Sequence, residues 1–374
     1  MRKRFEALDA FRGLCALSVV VFHMHLVGSI TELNFFRGST IFVEFFFILS
    51  GFVLAHGYGF KKHIGFYTFM KARFFRLYPL HIFMFLVFVI LEFGKLFAYK
   101  FGGFVFNNLP FTESYSVNEI IPNLLLIQSW TPFTNSLSFN YPSWSISIEF
   151  YLYALLFCSI ITFKSYRVIS WFIISLMAFS LMYLSSDLLV PPVLRGLSCF
   201  FGGSFVYYIY TKISHVEINK ILGNIIECLL IILIVFVVSS TFKHQAIVAS
   251  LLFMITVLFF SFESGIISNI LKMNAFQYVG KLSYSIYMTH AAILFCLISI
   301  AIILQKVTGA QFAPMIEGLR YLNFGSVAVN NIVIFVIISI VVFLSSLTYR
   351  FVEVTGQKLN KRERMISKEK SNLG

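Results

Sequence analysis

The chain is predicted to fold as an all-α membrane bundle of about ten transmembrane helices, and composition, the spacing of apolar runs and the placement of cations predict it. Of 374 residues, 59% are hydrophobic and 12% charged, and mean hydropathy is +0.86. Soluble domains use about 45–50% apolar residues. The 47 Phe residues alone carry more apolar surface than a soluble core can bury without leaving large exposed patches. A lipid bilayer must cover that surface, and it is the first partner the sequence implies.

An apolar run of about 20 residues can cross a hydrocarbon core about 30 Å thick. Ten such runs are read at 8–28, 40–58, 78–98, 145–163, 168–187, 191–210, 223–241, 246–262, 283–303 and 330–350. An even number places both termini on one side of the membrane. Of the 29 Lys and Arg, 21 fall on that side, seven on the other, and Arg12 lies inside the first run. By the positive-inside rule both termini are expected in the cytoplasm. The same rule accounts for the net charge of +13, because the cations sit in short loops and do not form one accessible basic face. Nucleic-acid binding is therefore not expected.

Cys15, Cys158, Cys199, Cys228 and Cys296 are scattered through apolar runs without the close spacing of a zinc or redox site, so no metal is expected. The opening Met1-Arg2-Lys3-Arg4 resembles the start of a secretory signal, but no small-residue cleavage site is evident and Arg12 interrupts the run. It is read as leading into the first membrane helix. Tyr99 to Ser143 is the longest non-spanning segment, rich in Asn, Ser, Thr and Pro, and it is placed on the outer side. Loops of this length commonly carry function. One membrane domain is expected over residues 1–355, followed by a basic cytoplasmic tail at 356–374.

An ionisable side chain deep in a spanning helix costs several kcal/mol, so it faces the bundle interior and is a functional candidate. Arg12, His23, Glu149 and His290 meet that description. Arg12 and His23 are eleven residues apart, which returns to within about 20° of one helix face and climbs about 16 Å. One interior stripe thus carries two polar groups at two depths. His25, about 200° further round, cannot share it. Arg73 and Arg76 share a face if their segment is helical, and a guanidinium pair suits phosphate, although Arg beside aromatics is also an ordinary membrane anchor. Pro79 is expected to start the third helix.

In Pro142-Ser143-Trp144-Ser145-Ile146-Ser147-Ile148-Glu149 a carboxylate enters the membrane from the outer side behind three hydroxyls and an indole. Such a group can orient an imidazole, bind a sugar hydroxyl or pair with an Arg. Ser143 and Trp144, with Tyr287 and His290 three residues apart, are candidates for an acceptor pocket. Core packing is the competing reading of the Tyr287 and His290 pair. Ser50-Gly51 reads as a close helix approach before a nucleophile.

These residues, taken in order, resemble a known family. Leu8-Asp9-Ala10-Phe11-Arg12-Gly13 with His23, Phe46 to Phe52, Arg73-x-x-Arg76, Trp144-Ser145 through Glu149, Leu282-Ser283-Tyr284-Ser285 through His290, and Tyr349-Arg350-Phe351-Val352-Glu353 are similar to motifs of the acyltransferase-3 family of bacterial membrane O-acyltransferases. The match runs through nearly the whole chain. The resemblance implies ten helices, an inner-membrane location, and a cytoplasmic acyl-CoA donor, acetyl-CoA first among them. It also implies an acceptor such as a surface glycan or lipid-linked sugar. It marks Arg12 and His23 as the family's essential pair and Arg73 and Arg76 as its cytoplasmic arginines. The family often has Pro shortly after the final Arg-Phe-x-Glu, whereas Val354-Thr355-Gly356 stands here. No esterase-like domain is expected after the last helix, and any second transfer step by such a domain is then expected to need a separate protein.

The mechanism expected is donor phosphates on Arg73 and Arg76, with Arg12 positioning the donor. His23 acts as general base on the acceptor hydroxyl, and Glu149 orients His23 or the acceptor. An acyl-imidazole intermediate stays open as an alternative. The rival reading is a transporter or glycan flippase using the buried Arg, His and Glu as a path. The acyl group, the acceptor sugar and the oligomeric state are not legible.

Overall fold

In lipid a chain satisfies its backbone by closing each peptide's hydrogen bonds within its own helix. The computed structural model, which describes residues 3–61, 65–104, 106 and 108–360, is built that way. Its main helices are α1 (Glu6–His23), α2 (Phe42–Leu54), α3 (Phe66–Gly102), α4 (Ser143–Phe163), α5 (Arg167–Tyr183), α6 (Pro191–Ile213), α7 (Lys220–Ser239), α8 (Gln245–Phe260), α9 (Asn274–Thr308) and α10 (Val327–Thr348). Each overlaps one predicted run. Length and hydropathy single out six continuous helical stretches among the described residues as able to cross a membrane. Ten crossings are therefore not established by that measure. Residues 143–183 count as one stretch although they hold α4 and α5, and α8 has only 16 residues. Glu6, Asp9 and Arg12 all fall in α1.

Two boundaries differ from expectation. Pro79 lies inside α3 and does not start it, because the helix already begins at Phe66. A proline removes one backbone bond, and neighbouring helices in a membrane bundle tolerate that loss. With 37 residues α3 is about 55 Å long, far more than the hydrocarbon core. It carries Arg73 and Arg76 towards one end of the bundle and the long loop at the other. The last helix continues to Asn360. The tail cations Lys361, Arg362, Arg364, Lys368 and Lys370 lie outside the described residues, as do Arg2, Lys62 and His63.

The segment between α3 and α4 folds back onto the bundle. Tyr78 Oη donates to Leu124 O at 3.0 Å, His81 Nε2 to Asn123 O at 2.9 Å, and Trp130 Nε1 to Ser147 O at 3.0 Å. Its entry is held by the buried Glu92, which accepts from Phe111 N at 2.9 Å and pairs with Lys95 at 3.2 Å. Removing one partner of a buried pair leaves the other charge uncompensated. Glu92→Ala is thus expected to cost about 3–5 kcal/mol, read as a lowered thermal midpoint in detergent, and an unchanged midpoint would refute the anchoring role.

The helix pair that matters most for the site is α1 and α9, which pack in parallel. They can approach closely because glycines meet at the crossing. A Cβ on Gly13 would lie 2.5 Å from Gly280 N, and one on Gly280 would lie 2.4 Å from Asp9 O. Around this crossing a core of Phe5, Phe11, Phe45, Phe52 and Phe260 fills the interior, while Ile232, Phe236, Phe335 and Phe343 face outwards as a lipid surface would require.

Candidate active site

From the Gly13 and Gly280 contact, ten residues of each parallel helix lead to His23 and His290. Ten residues are about 15 Å of rise, so equal spacing brings the two imidazoles to the same height. His290 Nε2 lies 3.2 Å from His23 Nδ1, with ring centroids 5.1 Å apart. His290 is fully buried and His23 partly so.

The hydrogen-bond pattern assigns the tautomers. A carbonyl oxygen only accepts, so His23 Nδ1, 2.9 Å from Val19 O, must carry the hydrogen. His290 Nδ1 lies 3.3 Å from Ile286 O and by the same logic is protonated. His290 Nε2 is then a lone pair that can share the one His23 Nδ1 hydrogen with Val19 O, and His23 Nε2 is left with a lone pair of its own. That nitrogen is the one available to take a proton.

The loop closes over the pair. Tyr141 packs on His23 at 4.6 Å between centroids and on His290 at 5.8 Å. Its neighbour Asn140 donates from Nδ2 to Met288 O at 3.1 Å, tying the loop to α9. The end of α1 is held by Arg37, which donates to Met24 O at 2.7 Å and Val21 O at 3.3 Å, while its Nη1 sits 2.9 Å from His25 Nδ1.

A cavity with about 790 Å³ of non-atom space, open solvent at its mouth included, is bordered by Tyr287, and neither histidine is among its lining residues. Arg12, Arg73, Arg76, Glu149, Ser50 and Tyr287 are among its lining residues. Arg12 is aimed by α9: its Nε donates to Ser283 Oγ at 2.8 Å and Nη2 to Gly280 O at 3.2 Å. Arg73 Nη2 donates to Tyr58 Oη at 3.4 Å, and its Nε is buried with no hydrogen-bond partner among the described residues. Three guanidiniums thus face one lining carboxylate. Asp9 lies 3.8 Å from Arg12 Nη2 and offsets part of its charge, and the unused N–H donor of the buried Arg73 suits an anionic ligand.

Glu149 belongs to this cavity and makes no contact with His23. Its Oε1 accepts from Ser50 Oγ and from Tyr153 Oη, both at 2.5 Å. The ring partner of His23 is His290 instead, because α4 enters beside α2 and α9 lies along α1. Tyr287 borders the cavity, its hydroxyl accepting from Ser145 Oγ at 3.0 Å and its ring 6.0 Å from that of His290. It stands between the arginines and the histidines. Ser143 and Trp144 line neither: Ser143 Oγ accepts from Gln128 Nε2 at 3.3 Å, and Trp144 lies under the Arg195 guanidinium at 4.7 Å. Arg195 in turn holds Glu44 through two bonds, at 2.7 and 3.0 Å.

Sequence reasoning missed Tyr141, Tyr153 and the role of Ser50 as a partner of Glu149. A signal for the histidine pair was present: Gly13 precedes His23, and Gly280 precedes His290, by the same ten residues. No group of His, Cys, Asp and Glu able to hold a metal occurs among the described residues.

Fold and site together define a multihelical membrane protein with an arginine-lined cavity and a histidine pair in its interior. The chain belongs to the acyltransferase family that its motifs resemble, since the family model described as an acyltransferase domain matches residues 5–350. It is 35% identical over 159 residues to the acyltransferase MdmB of Streptomyces mycarofaciens, covering 40% of this chain and 38% of that protein. It is also 48% identical over 86 residues to protein 2 in the picA locus of Rhizobium radiobacter, covering 21% of this chain and 41% of that protein. The chain thus spans about two-fifths of the length of these relatives. No solved structure matches.

Proposed function

We propose that the protein is a bacterial inner-membrane O-acyltransferase with both termini in the cytoplasm. It moves an acyl group, acetyl in the first instance, from acyl-CoA to a hydroxyl of an extracytoplasmic or lipid-linked glycan. One observation carries this reading: a cavity lined by Arg12, Arg73 and Arg76 adjoins, at Tyr287, a histidine pair in which His23 keeps a lone pair on Nε2.

Arg73 and Arg76 hold the donor's phosphates by charge-assisted hydrogen bonds. Arg12, fixed to Ser283 and Gly280 O, positions the donor near the tyrosine. Glu149, held by Ser50 and Tyr153, offsets part of the arginine charge and acts on the donor side. His23 Nε2 takes the proton of the acceptor hydroxyl as its oxygen attacks the thioester carbonyl. The tetrahedral intermediate collapses with loss of the CoA thiolate, which receives that proton from the imidazolium and leaves as the thiol. His290 accepts from His23 Nδ1–H throughout and keeps the base in the productive tautomer. Tyr287 and His290 border the route of the acceptor, while Ser143 and Trp144 support its wall.

The test uses purified protein in nanodiscs with radiolabelled acetyl-CoA and the surface polysaccharide of a strain lacking the protein. Label is expected on the glycan with equimolar release of CoA, and mass spectrometry of the glycan identifies the acyl group added. Glycan movement across the membrane without thioester consumption would overturn the reading in favour of a transporter. Arg73→Ala or Arg76→Ala is expected to raise the donor KM about tenfold to a hundredfold, as loss of a hydrogen bond to a charged group predicts. S-acetylpantetheine, which lacks the nucleotide phosphates, should show no such change. An equal effect on both donors would reject the phosphate assignment.

A further inference from the structure

A second recess, away from the acyl-transfer machinery, opens at the start of α5. The exposed face of α5 carries Ile169, Phe172 and Leu176, each about half exposed, at the three- and four-residue spacing of one helical stripe. Such an apolar row on the outside of a membrane bundle lies against acyl chains. The recess sits at the head of this row, where α5 begins after the turn at Lys164–Tyr166, and Phe60, Arg167, Phe172, Phe205 and Tyr208 are among its lining residues.

Its head and its depth differ in chemistry. At the head, Arg167 donates from Nη1 to Gly59 O at 2.8 Å and lies 5.4 Å from the Phe60 ring. That bond is one of five a guanidinium can donate. Ser165 adds a lining hydroxyl, and Lys212, outside the lining itself, holds its Nζ 5.3 Å from the ring of the lining Tyr208. Along the same recess Phe172 and Phe205 meet at 5.0 Å between centroids, and Val168 is a further apolar lining residue. None of the lining residues is acidic. A cationic, hydroxyl-bearing head above an aromatic slot that continues into an outward apolar row is complementary to a molecule with an anionic head and an apolar chain.

We propose that this recess binds one anionic diacyl phospholipid, its phosphate held by Arg167, Ser165 and Lys212 and one acyl chain lying along Val168, Phe172 and Phe205. A zwitterionic lipid matches the slot but not the surplus of cations. A free nucleotide matches the cations but leaves the apolar row uncovered. Basic pockets between helices near a membrane surface recognise anionic head groups in this way.

Native mass spectrometry of the full-length protein in detergent, titrated with dioleoyl phosphatidylglycerol or dioleoyl phosphatidylcholine, tests the site. Preferential retention of one phosphatidylglycerol is expected, weakened about fivefold for each cation removed in Arg167→Gln and Lys212→Gln, with phosphatidylcholine binding unchanged. Because Arg167 also anchors Gly59 O, Lys212→Gln has no such backbone contact and must weaken phosphatidylglycerol on its own, while Arg167→Lys should keep most of the preference. Equal retention of the two lipids, or undiminished phosphatidylglycerol binding in the double variant, would refute the proposal. Displacement of the lipid by equimolar free CoA would also overturn it and assign the recess to a nucleotide.

Discussion

Replacing His23 by Ala is expected to lower acyl transfer about a hundredfold to ten-thousandfold, the usual contribution of a positioned general base, at equal protein level and with little change in donor KM. In the proposed mechanism His290 cannot replace His23 as the base, because it presents its lone pair to His23 and its N–H to Ile286 O. Label transfer from acetyl-CoA in matched nanodisc preparations measures it, and wild-type transfer by His23→Ala would remove the central claim. His290→Ala should act through the base, lowering kcat with the donor KM unchanged. His290→Gln can still accept from Nδ1–H through its side-chain oxygen and should restore part of the rate. A structural role alone would not distinguish Gln from Ala in this way while both variants stay folded.

Gly280→Ala is expected to cost about a hundredfold in kcat, because a misplacement of about 1 Å at a reacting group has an effect of that size. The added methyl would sit 2.4 Å from Asp9 O, a backbone atom that cannot rotate away. α1 and α9 must separate or slide, which disturbs Arg12 at Ser283 and Gly280 O and His23 at His290 together. The measurement pairs single-turnover transfer with a thermal midpoint in detergent. A folded Gly280→Ala protein with undiminished kcat would show that the crossing does not set the site. Gly94 has open space around it, so Gly94→Ala is a control expected to leave transfer unchanged.

Much of the membrane architecture was legible because it follows from local rules. Apolar runs of helical length, the polar stripe from Arg12 to His23 and the helical face shared by Arg73 and Arg76 depend only on rise and turn along one segment. The long helix α3 was read as shorter, since Pro79 suggested a start that the surrounding bundle overrides. Glu149 illustrates the limit more sharply. Its intramembrane position could be read, but whether its partner was His23, an Arg or a sugar hydroxyl depended on which helix lies beside α4, and the answer, Ser50 and Tyr153, comes from α2 and from α4's own next turn.

What the sequence by itself determined was the class of fold and the inventory of polar groups that had to face inwards, because the cost of charge in hydrocarbon acts on each helix separately. Only the tertiary structure decided how those groups divide into an arginine cavity and a histidine pair. The reason is steric: the meeting of Gly13 with Gly280, distant in the chain, sets the register of two parallel helices, and the period of neither helix encodes the contact that aligns His23 with His290.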